Sequence, residues 1–160
     1  MPVTSYAGVG ARDAPTRILQ NMEDIADLLR QRRCVLRTGG AKGADQAFER
    51  GSIGFCDVYL SQMNIPKWTE VFTMYFHPCP EKLDAFGWNA MCRNAVIMLG
   101  INGDNPVDFV VCWTKDGKDT GGTGQAIRIA KAFDIPVYNL YNEGEFKALL
   151  ALILKMEIPA

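Results

Sequence analysis

Three glycine-bearing turns, each preceded by an apolar run and followed by a helix-like one, constrain this chain most. They are Gly8-Val9-Gly10-Ala11-Arg12 after Ser5-Tyr6-Ala7, Gly39-Gly40-Ala41-Lys42-Gly43-Ala44-Asp45 after Cys34-Val35-Leu36-Arg37, and Thr120-Gly121-Gly122-Thr123-Gly124-Gln125 after Val107 to Trp113. A strand that ends in glycine and opens a helix cannot return by a hairpin, so repetition of the unit predicts parallel strands with helical crossovers. The expected architecture is an α/β Rossmann-like three-layer sandwich with a mainly parallel central sheet. All three turns then fall on one edge, outside the strand C-termini, where open α/β sheets bind ligands.

The remaining pattern fits that frame. Ile18, Met22, Ile25, Leu28 and Leu29 form one apolar stripe after Pro15, and Asp13 is placed to cap the helix. Short strands are predicted at 34–36, 56–60, 107–113 and 135–140, with helices over about 43–50, 81–99, 122–133 and 143–155. Residues 61–80, with prolines and aromatics scattered among polar residues, are expected to form a long ordered loop or lid. With 160 residues and 48% apolar content, one domain spanning 1–160 is expected.

A formal net charge of -1 gives no electrostatic footprint of a duplex-gripping protein, so nucleic acid is possible but unsupported by net charge. Five cysteines without a CxxC pair predict reduced thiols, and no basic-apolar leader or membrane-length apolar stretch is seen, so a cytoplasmic protein is expected. Neither a metal nor a cofactor is predicted: His77 is the single histidine, and no zinc-ligand spacing exists. His77 beside Cys79 is a loop histidine in preference to half of a nucleophilic pair, because Pro78 stiffens the segment and nothing orients the ring.

Familiar phosphate signatures fail. Lys42 precedes Gly43 and no hydroxyl follows, so this is no Walker loop; Gly8-Val9-Gly10 lacks a third glycine and the second strand ends in Arg37-Thr38, so this is no dinucleotide fingerprint. The turns still suit close backbone approach to an anion at a helix N-terminus. Gly8, Gly10, Gly39, Gly40, Gly43, Gly121, Gly122 and Gly124 would allow that approach, and Arg12, Lys42 and Arg93 would offset charge. Asp45, Thr123 and Gln125 would fix polar groups, with Asp45 accepting from ribose hydroxyls or holding a neighbouring amide. Trp113, ending its strand beside the third turn, is expected near the ligand. Arg93-Asn94 lies in a helix whose apolar side carries Leu83, Phe86, Ala90 and Val96, and by default is a solvated or salt-bridged pair.

In motif content and order the chain resembles the SLOG superfamily, which includes the DNA-processing protein DprA/SMF and the LOG phosphoribohydrolases. The resemblance rests on Tyr6-Ala7-Gly8-Val9-Gly10-Ala11-Arg12, Arg37-Thr38-Gly39-Gly40-Ala41-Lys42-Gly43-Ala44-Asp45, Arg93-Asn94 and Gly121-Gly122-Thr123-Gly124, and is nearest to small standalone phage-type DprA-like proteins. It implies a SLOG-type fold, a homodimer or higher homo-oligomer, and a phosphate-bearing nucleotide-derived ligand. An ADP-ribose-type or cyclic nucleotide immune messenger held by sequestration, an anti-defence role, is one form of that ligand. The first alternative it implies is LOG-like hydrolysis of a nucleotide N-glycosidic bond, with Arg93 and Asp45 as catalytic candidates and Asp116 or Asp119 as further carboxylates. Arg128 stands where LOG enzymes carry glutamate, which leans the reading away from an enzyme. The second is a DprA-like single-stranded DNA-binding module, in which Arg93-Asn94 matches the start of an R-N-R motif.

Overall fold

The computed structural model describes residues 4–160. Its strands are β1 (Ser5–Gly10), β2 (Val35–Thr38), β3 (Cys56–Val58), β4 (Phe109–Trp113) and β5 (Val137–Asn139); its helices are α1 (Thr16–Gln31), α2 (Ala44–Ser52), α3 (Trp68–Phe76), α4 (Ala85–Leu99), α5 (Gly121–Ala132) and α6 (Glu143–Lys155). The strands form one parallel sheet in the order β3-β2-β1-β4-β5. Strand order reverses at β1, which pairs with β2 on one side and β4 on the other. Among α/β sheets this junction is where a crevice opens.

Alternation along the strands builds two cores, one on each face. Tyr6, Leu36, Phe109, Val111 and Trp113 pack with Ile18, Met22, Ile25 and Leu29 of α1, Ala47 and Phe48 of α2, and Leu149 and Ile153 of α6. Ala7, Val9, Val110 and Cys112 face the other way, against Ala95, Ile97, Met98 and Leu99 of α4 and Ala126, Ile127, Ile129 and Ala130 of α5. These layers make the three-layer α/β sandwich expected from the sequence. No helix among the described residues is long and apolar enough to cross a membrane.

Four local expectations are corrected. The 61–80 segment is not a continuous loop, since it contains α3, whose Trp68, Phe72 and Phe76 pack beside the α4/α5 core. The outward face of α3 is also apolar, with Val71, Met74 and Tyr75 exposed, and this two-sided distribution erases the helical period in the sequence. Asp13 does not cap α1; Pro15 occupies the cap position, and no side chain bonds the first turn. The fourth helix starts later than predicted, at a true cap in which Asp84 Oδ1 accepts from Gly87 N at 2.7 Å, after a short 3-10 turn over Pro80–Lys82. The β3 strand is only three residues long and partly exposed, as an edge strand, where a longer buried one was expected.

Candidate functional site

A cleft of about 460 Å3 opens at the C-terminal ends of β1 and β4. Its floor is Val9 and Gly10 of β1 with Ala126 of α5; its walls come from the first turn (Ala11, Arg12), from α4 (Met91, Arg93, Asn94) and from the start of α5 (Gly121, Gly122, Thr123). The volume suits a nucleotide-sized group.

Two adjacent residues of α4 hold the sides of this cleft together. Arg93 Nη1 donates to Gly39 O at 2.7 Å and to Tyr59 O at 3.1 Å, and its Nε donates to Asn94 Oδ1 at 3.3 Å. Asn94 Nδ2 donates to Gly122 O at 3.1 Å. Both residues are buried and Arg93 is in no ion pair among the described residues, in place of the solvated or salt-bridged pair expected by default. From Ala90 to Leu99 every residue of α4 is buried, so a polar group there survives only if its hydrogen bonds are met inside. Burial also pulls the Arg93 guanidinium below its ordinary pKa, partly offset by the nearby Asp45 charge.

Asp45, in the first turn of α2, is likewise buried, 5% exposed at the cleft wall. Its Oδ2 accepts from Ala41 N at 3.2 Å, and the amides of Gly39 and Gly10 also favour its carboxylate. Burial outweighs these amides and the Arg93 charge, and pushes its pKa up to about 6. Of the two roles foreseen for Asp45, the holding of a neighbouring amide is what the geometry contains.

The third turn differs because its amides have no such internal anion. Gly121 has φ of +66°, and the amides of Gly121, Gly122 and Thr123 find no acceptor among the described residues; the first internal bond is Gly124 N to Thr120 O at 3.0 Å. Thr120 does not cap them, because its hydroxyl donates to Asp116 Oδ1 at 2.8 Å. Free amides at the start of a helix, with φ positive at the first, form an anion-binding concavity. Beside them Arg12 is exposed, takes part in no ion pair among the described residues, and holds its guanidinium 5.5 Å from the centre of the exposed Phe86 ring.

The cleft thus brings together Gly10, Arg12, Asp45, Arg93, Asn94, Gly121, Gly122 and Thr123. Gly8, Gly39, Gly40, Lys42, Gly43, Gly124, Gln125 and Trp113 lie outside its lining, and the glycines have packing roles instead. A Cβ on Gly8 would stand 2.6 Å from the Phe48 ring, one on Gly43 2.3 Å from Arg12 O, and one on Gly124 2.5 Å from Asp119 O. Lys42 is exposed, and Gln125 is wholly buried, accepting from Arg128 Nη2 at 2.9 Å. Trp113 falls on the α1/α6 face by strand alternation and packs beside Tyr141, with ring centres 6.4 Å apart.

Sequence reasoning missed Phe86, Met91 and Lys115 as cleft residues. Phe86 was placed on the apolar side of its helix, yet it is 57% exposed at the cleft; its position next to a helix cap, before the buried stretch begins, was the available signal. The carboxylates considered for hydrolysis are mostly elsewhere. Asp116 accepts from Lys118 N and Thr120, and Asp119 pairs with Lys131 Nζ at 3.1 Å. Arg128 donates to Phe76 O at 2.8 Å and Asp119 O at 3.3 Å, bracing α3 and the loop before α5 from outside the cleft. His77 Nδ1 accepts from Cys79 N at 3.0 Å, and burial lowers its pKa.

A parallel sheet reversing its order at β1, with a cleft across the reversal and the start of α5 in its lining, defines a Rossmann-like fold. No family model matches the chain, and no curated protein matches it. Among solved structures it is similar in fold to the DNA processing protein A of Helicobacter pylori, a single-stranded DNA-binding protein, with a TM-score of 0.62 at 15% identity over 93% of this chain and 72% of that one. The fold is therefore DprA-like.

Proposed function

We propose that the cleft binds a nucleotide through its phosphate, held by the start of α5. The observation that carries this reading is the set of unfilled amides at Gly121, Gly122 and Thr123, facing a nucleotide-sized cleft beside the unpaired Arg12. A helix N-terminus and a guanidinium together favour an anion, and the exposed Phe86 offers a face for a base. The order of the sequence motifs and the DprA-like fold together support placing the chain with the SLOG proteins as a single domain.

A second reading, in which the nucleotide belongs to single-stranded DNA, is favoured by the likeness to a single-stranded DNA-binding protein. Nothing in the cleft favours a signalling messenger over an ordinary nucleotide. The hydrolase alternative gains no support: Asp45 is engaged by backbone amides, and Arg128 stands outside the cleft.

Calorimetric titration of the protein and of Gly122→Phe with nucleotides and with short oligothymidylate tests the reading. A Cβ at Gly122 would meet only the flexible end of Met91, at 3.2 Å, so the variant should fold. Binding by the wild type and its loss in Gly122→Phe at unchanged melting temperature is expected. Equal affinity in both proteins would remove the phosphate from the α5 terminus. A strand-bound mode would weaken steeply with salt.

A further inference from the structure

The backbone on either side of Lys115 is tied down, while its side chain stands in the open. Just before it, Thr114 N donates to Asn139 Oδ1 at 3.3 Å, and Asn139 Nδ2, from the buried end of β5, donates to Thr114 Oγ1 at 2.8 Å. Just after it, Gly117 N donates to Thr114 O at 3.2 Å, and Gly117 O accepts from Asn142 Nδ2 at 3.1 Å. The carboxylates of the same loop are committed elsewhere, Asp116 to Lys118 N and Thr120 Oγ1, and Asp119 to Lys131. Lys115 is exposed in the cleft lining and takes part in no ion pair among the described residues. A fixed backbone carrying a cation without a partner is a preorganised anion contact.

Arg12 is the counterpart of Lys115 on the neighbouring strand. The adjacent strands β1 and β4 register Gly10 with Trp113, and each cation lies two residues beyond its member of that pair. Paired strands run about 5 Å apart, so the two strand ends deliver their cations to neighbouring parts of the cleft lining, and Arg12 is unpaired as well. Arg93 shows that the cleft also meets an acceptor from within. It is 8% exposed, and its Nη1 and Nε are spent on Gly39 O, Tyr59 O and Asn94 Oδ1, but both N–H bonds of Nη2 lack a partner among the described residues at the cleft wall. Three cations, Arg12, Arg93 and Lys115, thus line the cleft against two carboxylates, Asp13 and Asp45, and backbone amides already engage Asp45. Resting on the nucleotide reading above, we infer that Lys115 is a phosphate-binding residue, closing with Arg12 on the phosphate at the start of α5 from the two strand ends where the sheet reverses its order. The chemistry it takes is a phosphate oxyanion, of a free nucleotide or of a strand.

The test measures, by calorimetry at low ionic strength, the affinity of thymidine monophosphate, adenosine monophosphate and oligothymidylate for the wild type, Lys115→Ala, Lys115→Arg and Lys118→Ala. Lys118 is an exposed cation of the same loop outside the cleft lining, so its variant carries the same change in net charge. Lys115→Ala should weaken each probe that the wild type binds by about three- to tenfold, the scale of one charge-assisted contact, at an unchanged melting temperature. Lys115→Arg should keep the affinity, as should Lys118→Ala. The loss should shrink at about 1 M salt, where the Debye length is about 3 Å. A loss on the monophosphates without binding of oligothymidylate assigns the phosphate to a free nucleotide. A loss on oligothymidylate, with a salt dependence reduced by about one counterion, assigns it to a strand; both support the role of Lys115. Equal affinities in Lys115→Ala and Lys118→Ala, when Gly122→Phe has lost binding, overturn that role and leave the cleft a nucleotide site. No binding of any of these probes by the wild type overturns both.

Discussion

Replacing Asp45 with asparagine should change how stability depends on pH, in a direction fixed by where the carboxylate sits. In the unfolded chain the group titrates near 3.8, whereas burial under the second glycine turn pushes it up to about 6 in the folded protein, despite the Arg93 charge and the amides of Ala41, Gly39 and Gly10. Between those values the folded state binds more protons than the unfolded state, so this group makes stability fall as pH rises through the window. The difference corresponds to about 3 kcal/mol, fully present below the unfolded value and lost above the folded one. Asparagine carries no charge and should remove this contribution. Urea unfolding followed by tryptophan fluorescence, reported by the buried Trp113, measures both proteins from about pH 4 to about pH 7. Any constant offset reflects altered hydrogen bonds. The informative quantity is the change in the difference, which should move by about 2 kcal/mol in favour of the variant across this range as pH rises. A difference that stays flat across the range, or moves the other way, would refute the placement of Asp45 as a buried carboxylate whose desolvation exceeds its compensation.

Two further outcomes follow from the same geometry. Phe86→Ala, at a position 57% exposed, should leave the unfolding midpoint unchanged while weakening nucleotide binding by about 1–3 kcal/mol, and unaltered affinity would take the base away from that ring. Gly43→Ala should destabilise by about 3 kcal/mol or more, because φ there is +81° and the new Cβ would meet the Arg12 carbonyl at 2.3 Å; a loss under about 1 kcal/mol in urea would mean the first and second turns are not packed in this way.

The alternation of apolar run, glycine turn and amphipathic stretch made the sheet and the edge at which the cleft opens legible, because each is a local property of the chain. What escaped was set by packing between distant elements. The α3 helix was hidden because Val71, Met74 and Tyr75 are apolar yet exposed, while Trp68 and Phe72 are the residues that pack inward. Trp113 was drawn to the ligand by its place at a strand end, but period-two alternation sends its ring to the opposite face. Arg93 and Asn94 gave no local sign of burial, since their acceptors, Gly39, Tyr59 and Gly122, lie far away in sequence. The glycines were expected to allow close approach of a ligand, whereas at most of them the close neighbour is the protein itself.

The contacts of Arg93 and Asn94 also have a mechanical meaning. One residue grips the backbone after β2 and β3, its neighbour grips the backbone after β4, and the two are joined by a single peptide unit of a buried helix. The gap between the two halves of the sheet edge is thus gauged by a ruler one residue long, whose length thermal motion of the outer loops cannot alter. Loops at either margin are free to lengthen or change without detuning the opening, whereas a one-turn displacement of α4 would release both jaws at once.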